Sequence, residues 1–306
     1  LVDPVSGLAD LQHDLLRMVS GDAFANDPLR IVKGVRHATA LHLQIEEKTL
    51  DGMQAGSTEL CRVAPERIRQ EIWKILASEE AARGFHLLSE SNAGNYLFKN
   101  NYSAKHGDLS DTLVVVRNCW RSLSGQQPEV RDWLAREVEQ GLRFETLLLW
   151  TLLLARLDAD LPGRLAEEWL LSRKAKTYVK AVTEINLETL EELNKLSRRP
   201  RAFAWWAHGY GIEPRLWLLA LAAIDALNEQ ASGDLLCSWV PVVDTLDGQS
   251  PEELVDGHWL QHELGLPVGP DMSRALHLLR KAEIYGRVDS PENAREYLLN
   301  HYKNID

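Results

Sequence analysis

Apolar residues recur at intervals of three and four along most of the chain. Ile31, Val35, Ala38 and Leu41 do so in one stretch, and Ile68, Ile72, Ile75 and Leu76 in another. That is the helical period. Strand signals are sparse: Val114–Val116 is a compact β-branched run, but it lies inside Leu109–Leu123, which itself reads as helix. Prolines mark the helix starts. Asp27-Pro28 reads as an N-cap followed by Pro at the first helical position, and Ala64-Pro65-Glu66 adds an acid to the first turn. Gly269-Pro270 opens a helix that Gly286 ends, and Ser290-Pro291-Glu292 starts the last one. The pattern predicts a mostly α protein, an elongated multi-helix array without a regular repeat. Helices are expected over about 27–82, an irregular stretch near 89–108, helices again to about 230, a linker over 232–251 and a helical tail over 252–306.

Composition narrows the class. Of 306 residues, 45% are hydrophobic and 26% charged, which excludes wholesale disorder. The longest apolar runs, Leu147–Ala155 and Leu216–Ala223, are too short to span a bilayer, so no membrane partner is expected. Cys61, Cys119 and Cys237 lie too far apart for zinc-site spacing or a disulfide framework and fit a reducing cytoplasm. Residue 1 is Leu and the first Met is Met18, so the coding sequence is expected to continue upstream.

The net charge of -11 argues against nonspecific nucleic-acid binding. The basic residues are nevertheless clustered as Arg173, Lys174, Lys176 and Lys180, then Arg198, Arg199 and Arg201, while residues 216–267 contain no Lys or Arg. Such a stripe is either a solvated helix face or a contact for phosphates. Trp205-Trp206, with Arg201 and His208 nearby, reads as core packing or as stacking faces for bases. His258 and His262 share a helical face but lack the Glu beside the first His that a metalloprotease needs. Asp158-Ala-Asp160 reads as a helix end and turn, not a two-metal site.

Three segments near the start carry more. They are Asp3-Pro4-Val5-Ser6-Gly7-Leu8-Ala9-Asp10-Leu11, then Phe24-Ala25-Asn26-Asp27-Pro28-Leu29-Arg30 continuing to Arg36, then Val63-Ala64-Pro65-Glu66-Arg67-Ile68-Arg69-Gln70-Glu71. In order and separation they resemble the motifs of bacterial class II tRNA nucleotidyltransferases, the CCA-adding enzymes and their poly(A) polymerase relatives. Leu264-Gly265-Leu266-Pro267-Val268-Gly269-Pro270 is similar to that family's tail segment. The chain departs from the family pattern at Ser6 (Gly), Asn26 (Glu), Lys33 (Arg) and His37 (an aromatic).

The resemblance implies a head–neck–body–tail enzyme from which this chain holds a head remnant over 1–22, the neck over 23–82, a body over 83–231 and a tail over 252–306. It implies that Asn26, Asp27 and Arg30 read the base of the incoming CTP or ATP. A carboxylate accepts from an exocyclic amine and a guanidinium donates to ring nitrogen or carbonyl, and i, i+3 spacing is expected to place Asp27 and Arg30 on one face, within reach of one base edge. Lys33, Arg36, Glu66, Arg67 and Glu71 would support the neck or contact phosphate, with an Arg67–Glu71 ion pair at i, i+4. Asp3, Gly7 and Asp10 would belong to a flexible-loop motif. No catalytic or metal-binding residue is expected in this portion. Mg²⁺ would belong to the head, supplied in cis or in trans, and the chain alone would be inactive. The tRNA 3′ end and elbow are the expected partners, with the basic stripe as the RNA contact. Rival readings are one chain of a two-chain nucleotidyltransferase, a relative that adds only A or poly(A), and a non-enzymatic helical RNA-binding or scaffold protein.

Overall fold

The computed structural model describes residues 2–98, 102–185, 196, 199–209, 213–228, 240, 241, 243 and 254–302. The chain divides into two units. One holds Leu1–Ile185 with Ala220–Ala231, the other Asn186–Leu219 with Ser232–Asp306.

The first unit begins with α1 (Gly7–Gln12), β1 (Leu15–Leu16), α2 (Ala23–Asn26) and α3 (Leu29–Ala40). His42, with φ at 55°, reverses the chain into β2 (Gln44–Ile45), which pairs parallel with β1. Then follow α4 (Glu47–Gly56), a 3₁₀ turn (Ser57–Arg62), α5 (Pro65–Leu76), α6 (Ala81–Glu90), α7 (Ala93–Leu97) and α8 (Tyr102–Gln126). α9 (Glu129–Ala135), the antiparallel pair β3 (Glu137–Glu139) and β4 (Leu142–Arg143), α10 (Phe144–Leu157), α11 (Leu161–Glu168) and α12 (Arg173–Thr183) complete it. The mostly α reading holds. The four short strands went unforeseen, because two or three residues carry no period to read.

Two sequence expectations are corrected. The irregular stretch near 89–108 is shorter than expected, since α7 occupies part of it and α8 starts at Tyr102. The anchor there is tertiary: Tyr102 is fully buried and donates its hydroxyl to the Phe85 carbonyl at 2.7 Å, against the rings of Phe85 and Phe98. Asp27 does not share a helical face with Arg30. Its backbone is extended (φ -146°, ψ 93°), as an N-cap's is, and Pro28 is the first residue with helical angles, as the sequence suggested. A residue before Pro is pushed from the α region by the pyrrolidine ring.

Arginines close several helix ends. Arg83 donates to the carbonyls of Ala38 and Leu43 after α3, Arg117 to Leu76 and Ser78 after α5, and Arg69 to Trp169 and Leu170 after α11. Ala38 and Leu76 are last-turn carbonyls at the negative end of a helix dipole, and the other accepted carbonyls lie just beyond their helices. These cations are therefore engaged in structure.

In the second unit, α13 (Pro200–Gly209) and the helix α14 (Pro214–Leu227), whose last eight residues belong to the first unit, precede α15 (Gly257–Leu264), α16 (Pro270–Ile284) and α17 (Pro291–His301). Leu260, Leu266, Ala275, Leu279, Val288 and Leu298 form its C-terminal core. The proline-marked starts hold here: Ser290 accepts from the Asn293 amide at 3.2 Å, and Gly286 adopts φ 66° after α16. The expected linker falls almost entirely outside the described residues. Among the described residues, no helix is long and apolar enough to cross a membrane.

Candidate functional site

α3 is two-faced. Leu29, Ile31, Val32, Val35 and Ala38 are buried. Arg30, Lys33, Gly34 and His37 sit at i, i+3, i+4 and i+7 and share another face. That stripe lines a cavity of about 390 Å³. Leu16, Arg17, Met18 and Val19 after β1, Ala23 and Phe24 from α2, and Thr49 and Met53 from α4 close the rest. Gly34 lets α4 approach: a Cβ there would stand 2.5 Å from Met53 Cε. The floor is apolar, and every charged side chain that lines the cavity is cationic, which suits a flat aromatic ligand that carries negative charge.

Its cations differ in freedom. Arg17 is held by Asp10 at 3.0 Å and by Glu46 at 3.0 Å, and the Asp10 carboxylate raises the Arg17 pKa. Glu46 accepts from Thr49 Oγ1 at 2.7 Å, and that hydroxyl oxygen accepts from the Met18 amide at 2.9 Å. Arg30 makes a long contact, Nη1 to the Ala23 carbonyl at 3.5 Å, and its charge helps hold the Asp22 pKa low. Behind the stripe, Arg36 Nε donates to Glu71 at 2.6 Å and Lys74 donates to its other oxygen at 2.9 Å. Arg36 Nη2 lies 2.8 Å from His37 Nε2.

The expected site residues are thus partly assembled. Arg30 and Lys33 line the cavity, whereas Asn26 and Asp27 do not. Asn26 Nδ2 donates to Asp22 at 3.0 Å, and Asp27 faces Arg67 at 3.4 Å. The expected Arg67–Glu71 pair is replaced by Arg67–Asp27 and Arg36–Glu71. Glu71 is on the buried side of α5 while Arg67 is on its exposed side, and Arg preceding Glu is the weaker order for an i, i+4 pair. Glu66 lies in the first turn of α5, where its charge favours the helix dipole. Asp3 accepts from the amides of Gly7 at 2.8 Å and Leu8 at 2.9 Å, which hold its pKa low and cap α1. Asp10 anchors Arg17. Sequence reasoning missed Arg17, which has no nearby spacing signal, and the Glu71–Lys74 pair, which i, i+3 spacing could have shown.

The basic stripe divides between the two units. On α12, Arg173, Lys174 and Lys180 are exposed. Lys176 pairs with Glu167, Lys180 with Glu184 at 3.7 Å, and the Lys174 ammonium lies 5.6 Å from the Tyr178 ring. In the second unit Arg199 is exposed and Arg201 donates to the Tyr285 carbonyl. Arg198 lies outside the described residues. Trp206 is half-buried and packs on the buried rings of Trp217 and Phe203. Trp205 is half-buried, with His277 against it at 4.8 Å and the Lys281 ammonium over its ring at 5.6 Å. His258 and His262 are both exposed on α15, and Asp158 and Asp160 flank the turn between α10 and α11, as read from the sequence.

Residues 42–102 match a family model described as the probable RNA- and SrmB-binding site of polymerase A. The chain is 28% identical over 321 residues to the CC-adding tRNA nucleotidyltransferase of Geobacter sulfurreducens, covering 97% of this chain and 69% of that protein. It is 26% identical to the CCA-adding enzyme of Streptococcus thermophilus, covering 96% of this chain and 65% of that one. Among solved structures, the Thermotoga maritima CCA-adding enzyme complexed with tRNA shares the fold with a TM-score of 0.55 at 18% identity, over 98% of this chain and 67% of that one. The chain therefore spans about two thirds of the length of the proteins it matches.

Proposed function

We propose that the chain is the nucleotide-selecting and tRNA-binding portion of a CCA-adding tRNA nucleotidyltransferase, a reading that its matched family model, its relatives and its fold support. The observation that carries this is the α3 stripe of Arg30, Lys33, Gly34 and His37 along an apolar-floored, cation-rimmed cavity. The base of CTP or ATP enters that cavity and Arg30 donates to its edge. Asp27 exchanges its long contact with Arg67 for the exocyclic amine, and Asn26 flanks it. Lys33 and Arg17 face the triphosphate. Arg36, Glu66, Arg67 and Glu71 brace the neck, and the Asp3–Gly7–Asp10 segment ties the preceding turn to it. Nucleotidyl transfer itself, with its Mg²⁺, belongs to a head domain supplied in cis or in trans. Body and tail hold the tRNA 3′ end and elbow by shape and phosphate.

The test uses the chain combined with a nucleotidyl-transfer head and a tRNA acceptor. Arg30→Ala should lower discrimination of CTP and ATP against GTP and UTP, whose ring N–H opposes a donor, by about tenfold or more, the worth of one good bidentate base contact. Its effect on tRNA affinity should be under about twofold. Loss of tRNA affinity with discrimination intact would overturn the role given to Arg30. Absence of any CTP or ATP binding would favour the RNA-binding scaffold reading. For the RNA face, Arg173→Ala with Lys174→Ala should weaken tRNA binding at every sequence and reduce the slope of log affinity against log salt by about one to two.

A further inference from the structure

His37 borders the cavity, and its chemistry there is fixed by its neighbour. Arg36 Nη2 lies 2.8 Å from His37 Nε2. A guanidinium carries donors only, so Nε2 must accept, and the neutral ring then keeps its proton on Nδ1. Arg36 is itself pinned by Glu71 at 2.6 Å, and Glu71 by Lys74 at 2.9 Å. The ring is thus a donor at the end of a three-residue relay. Burial and the Arg36 charge lower its pKa, with Lys33 and Lys74 adding to them and Glu71 opposing. Those four face it from α3 and α5, and Arg17 and Arg30 border the same cavity.

The Watson–Crick edges of adenine and cytosine begin alike, with an exocyclic amine and then an accepting ring nitrogen. They differ at the next position, where cytosine offers the O2 acceptor and adenine only a C–H. A carboxylate and a guanidinium read the shared pair equally well in both bases. A further donor beyond the guanidinium finds a partner only in cytosine. We infer that His37, presented as an Nδ1–H donor by Arg36, is a specificity-determining residue that favours cytosine over adenine nucleotides. The inference rests on the reading above that the cavity receives the base.

The experiment is equilibrium titration of CTP and ATP into the chain, at about pH 7.5, for the wild type, His37→Phe and His37→Asn. Asn keeps a donor near the Nδ1 position and does not titrate. CTP should bind about tenfold more tightly than ATP, the worth of about one well-made base contact. In His37→Phe the ratio should fall to about twofold or less, and in His37→Asn most of it should survive. Acidification supplies a second readout. An imidazolium cannot accept from Arg36 and is repelled by it and by Lys33, so the donor leaves its place. In the wild type the ratio should therefore hold above about pH 6.5 and decline as the pH falls through the lowered His37 pKa, whereas His37→Asn stays flat. The ratio, not the affinity, is the measure, because both ligands carry the same triphosphate. Equal binding of ATP and CTP by the wild type, or an unchanged ratio in His37→Phe, overturns the role of His37. If both nucleotides bind and Arg30→Ala weakens them while His37 substitutions change no ratio, the cavity reading stands and only this inference falls. If neither binds, the cavity reading itself fails.

Discussion

Gly94→Ala should destabilise the first unit by about 3 kcal/mol or more, above the usual range for an added methyl in a packed core. A Cβ at Gly94 would overlap the Tyr102 ring. That ring has nowhere to go: it is fully buried, its hydroxyl is tied to the Phe85 carbonyl, and Phe98 lies 5.2 Å away, itself 6.0 Å from Trp169. The helix holding Gly94 must instead shift away from α8. Against a total of about 5–15 kcal/mol for a domain, such a loss is large. Urea unfolding followed by tryptophan fluorescence reads it, since Trp73, Trp120, Trp133, Trp150 and Trp169 are all buried in the first unit. Adding Tyr102→Leu to Gly94→Ala should recover part of the loss, because the smaller side chain yields the space. A neutral Gly94→Ala would show that α7 and α8 do not meet at this glycine.

The parts of this fold that could be read beforehand are those settled within one helical turn. Pro65, Pro270 and Pro291 begin helices where they stand, because a missing amide and a fixed φ cost nothing at the first position. The parts that could not be read depend on distant partners. The β1–β2 ladder joins residues 15–16 to 44–45, and two-residue strands carry no period from which to infer register. The start of α8 is held by Tyr102, buried against α6.

The candidate site divides the same way. The i, i+3, i+4, i+7 stripe of α3 was implicit in the spacing, and it proves to line the cavity. Asp27 was misplaced although the information was present: Pro28 extends the residue before it, so the spacing that puts two helical residues on one face does not apply. Glu71 was assigned to Arg67 by proximity in sequence. It pairs with Arg36, thirty-five positions away, because α3 packs against the buried side of α5. Local spacing shows which pairs are permitted, and tertiary packing selects among them.

Glu71→Ala is expected to cost about 3 kcal/mol, in the range for breaking a largely buried ion pair. The Glu71 side chain is 7% exposed and both its oxygens are used, by Arg36, 24% exposed, and by Lys74. Removing it leaves the Arg36 guanidinium among Lys33, Lys74 and His37 with no carboxylate shown to face it. Lys74→Ala should cost well under about 1 kcal/mol, since that ammonium is 56% exposed and water replaces the partner. Burial pushes the Glu71 carboxyl up, but the hydrogen bonds and charges of Lys74 and Arg36 outweigh it and hold its pKa below the ordinary value. A carboxyl depressed in the folded state stabilises fully above its unfolded value and loses that contribution as the pH falls through the folded one. The wild type should therefore lose stability below about pH 4.3, and the difference between wild type and Glu71→Ala should shrink over that window. Because Glu71 orients Arg36 and Arg36 fixes the His37 tautomer, Glu71→Ala should also lower the CTP-to-ATP binding ratio at temperatures where the variant remains folded. A purely structural brace would lower stability and leave that ratio unchanged, so measuring both in one variant separates support of the fold from the base selection proposed for this cavity.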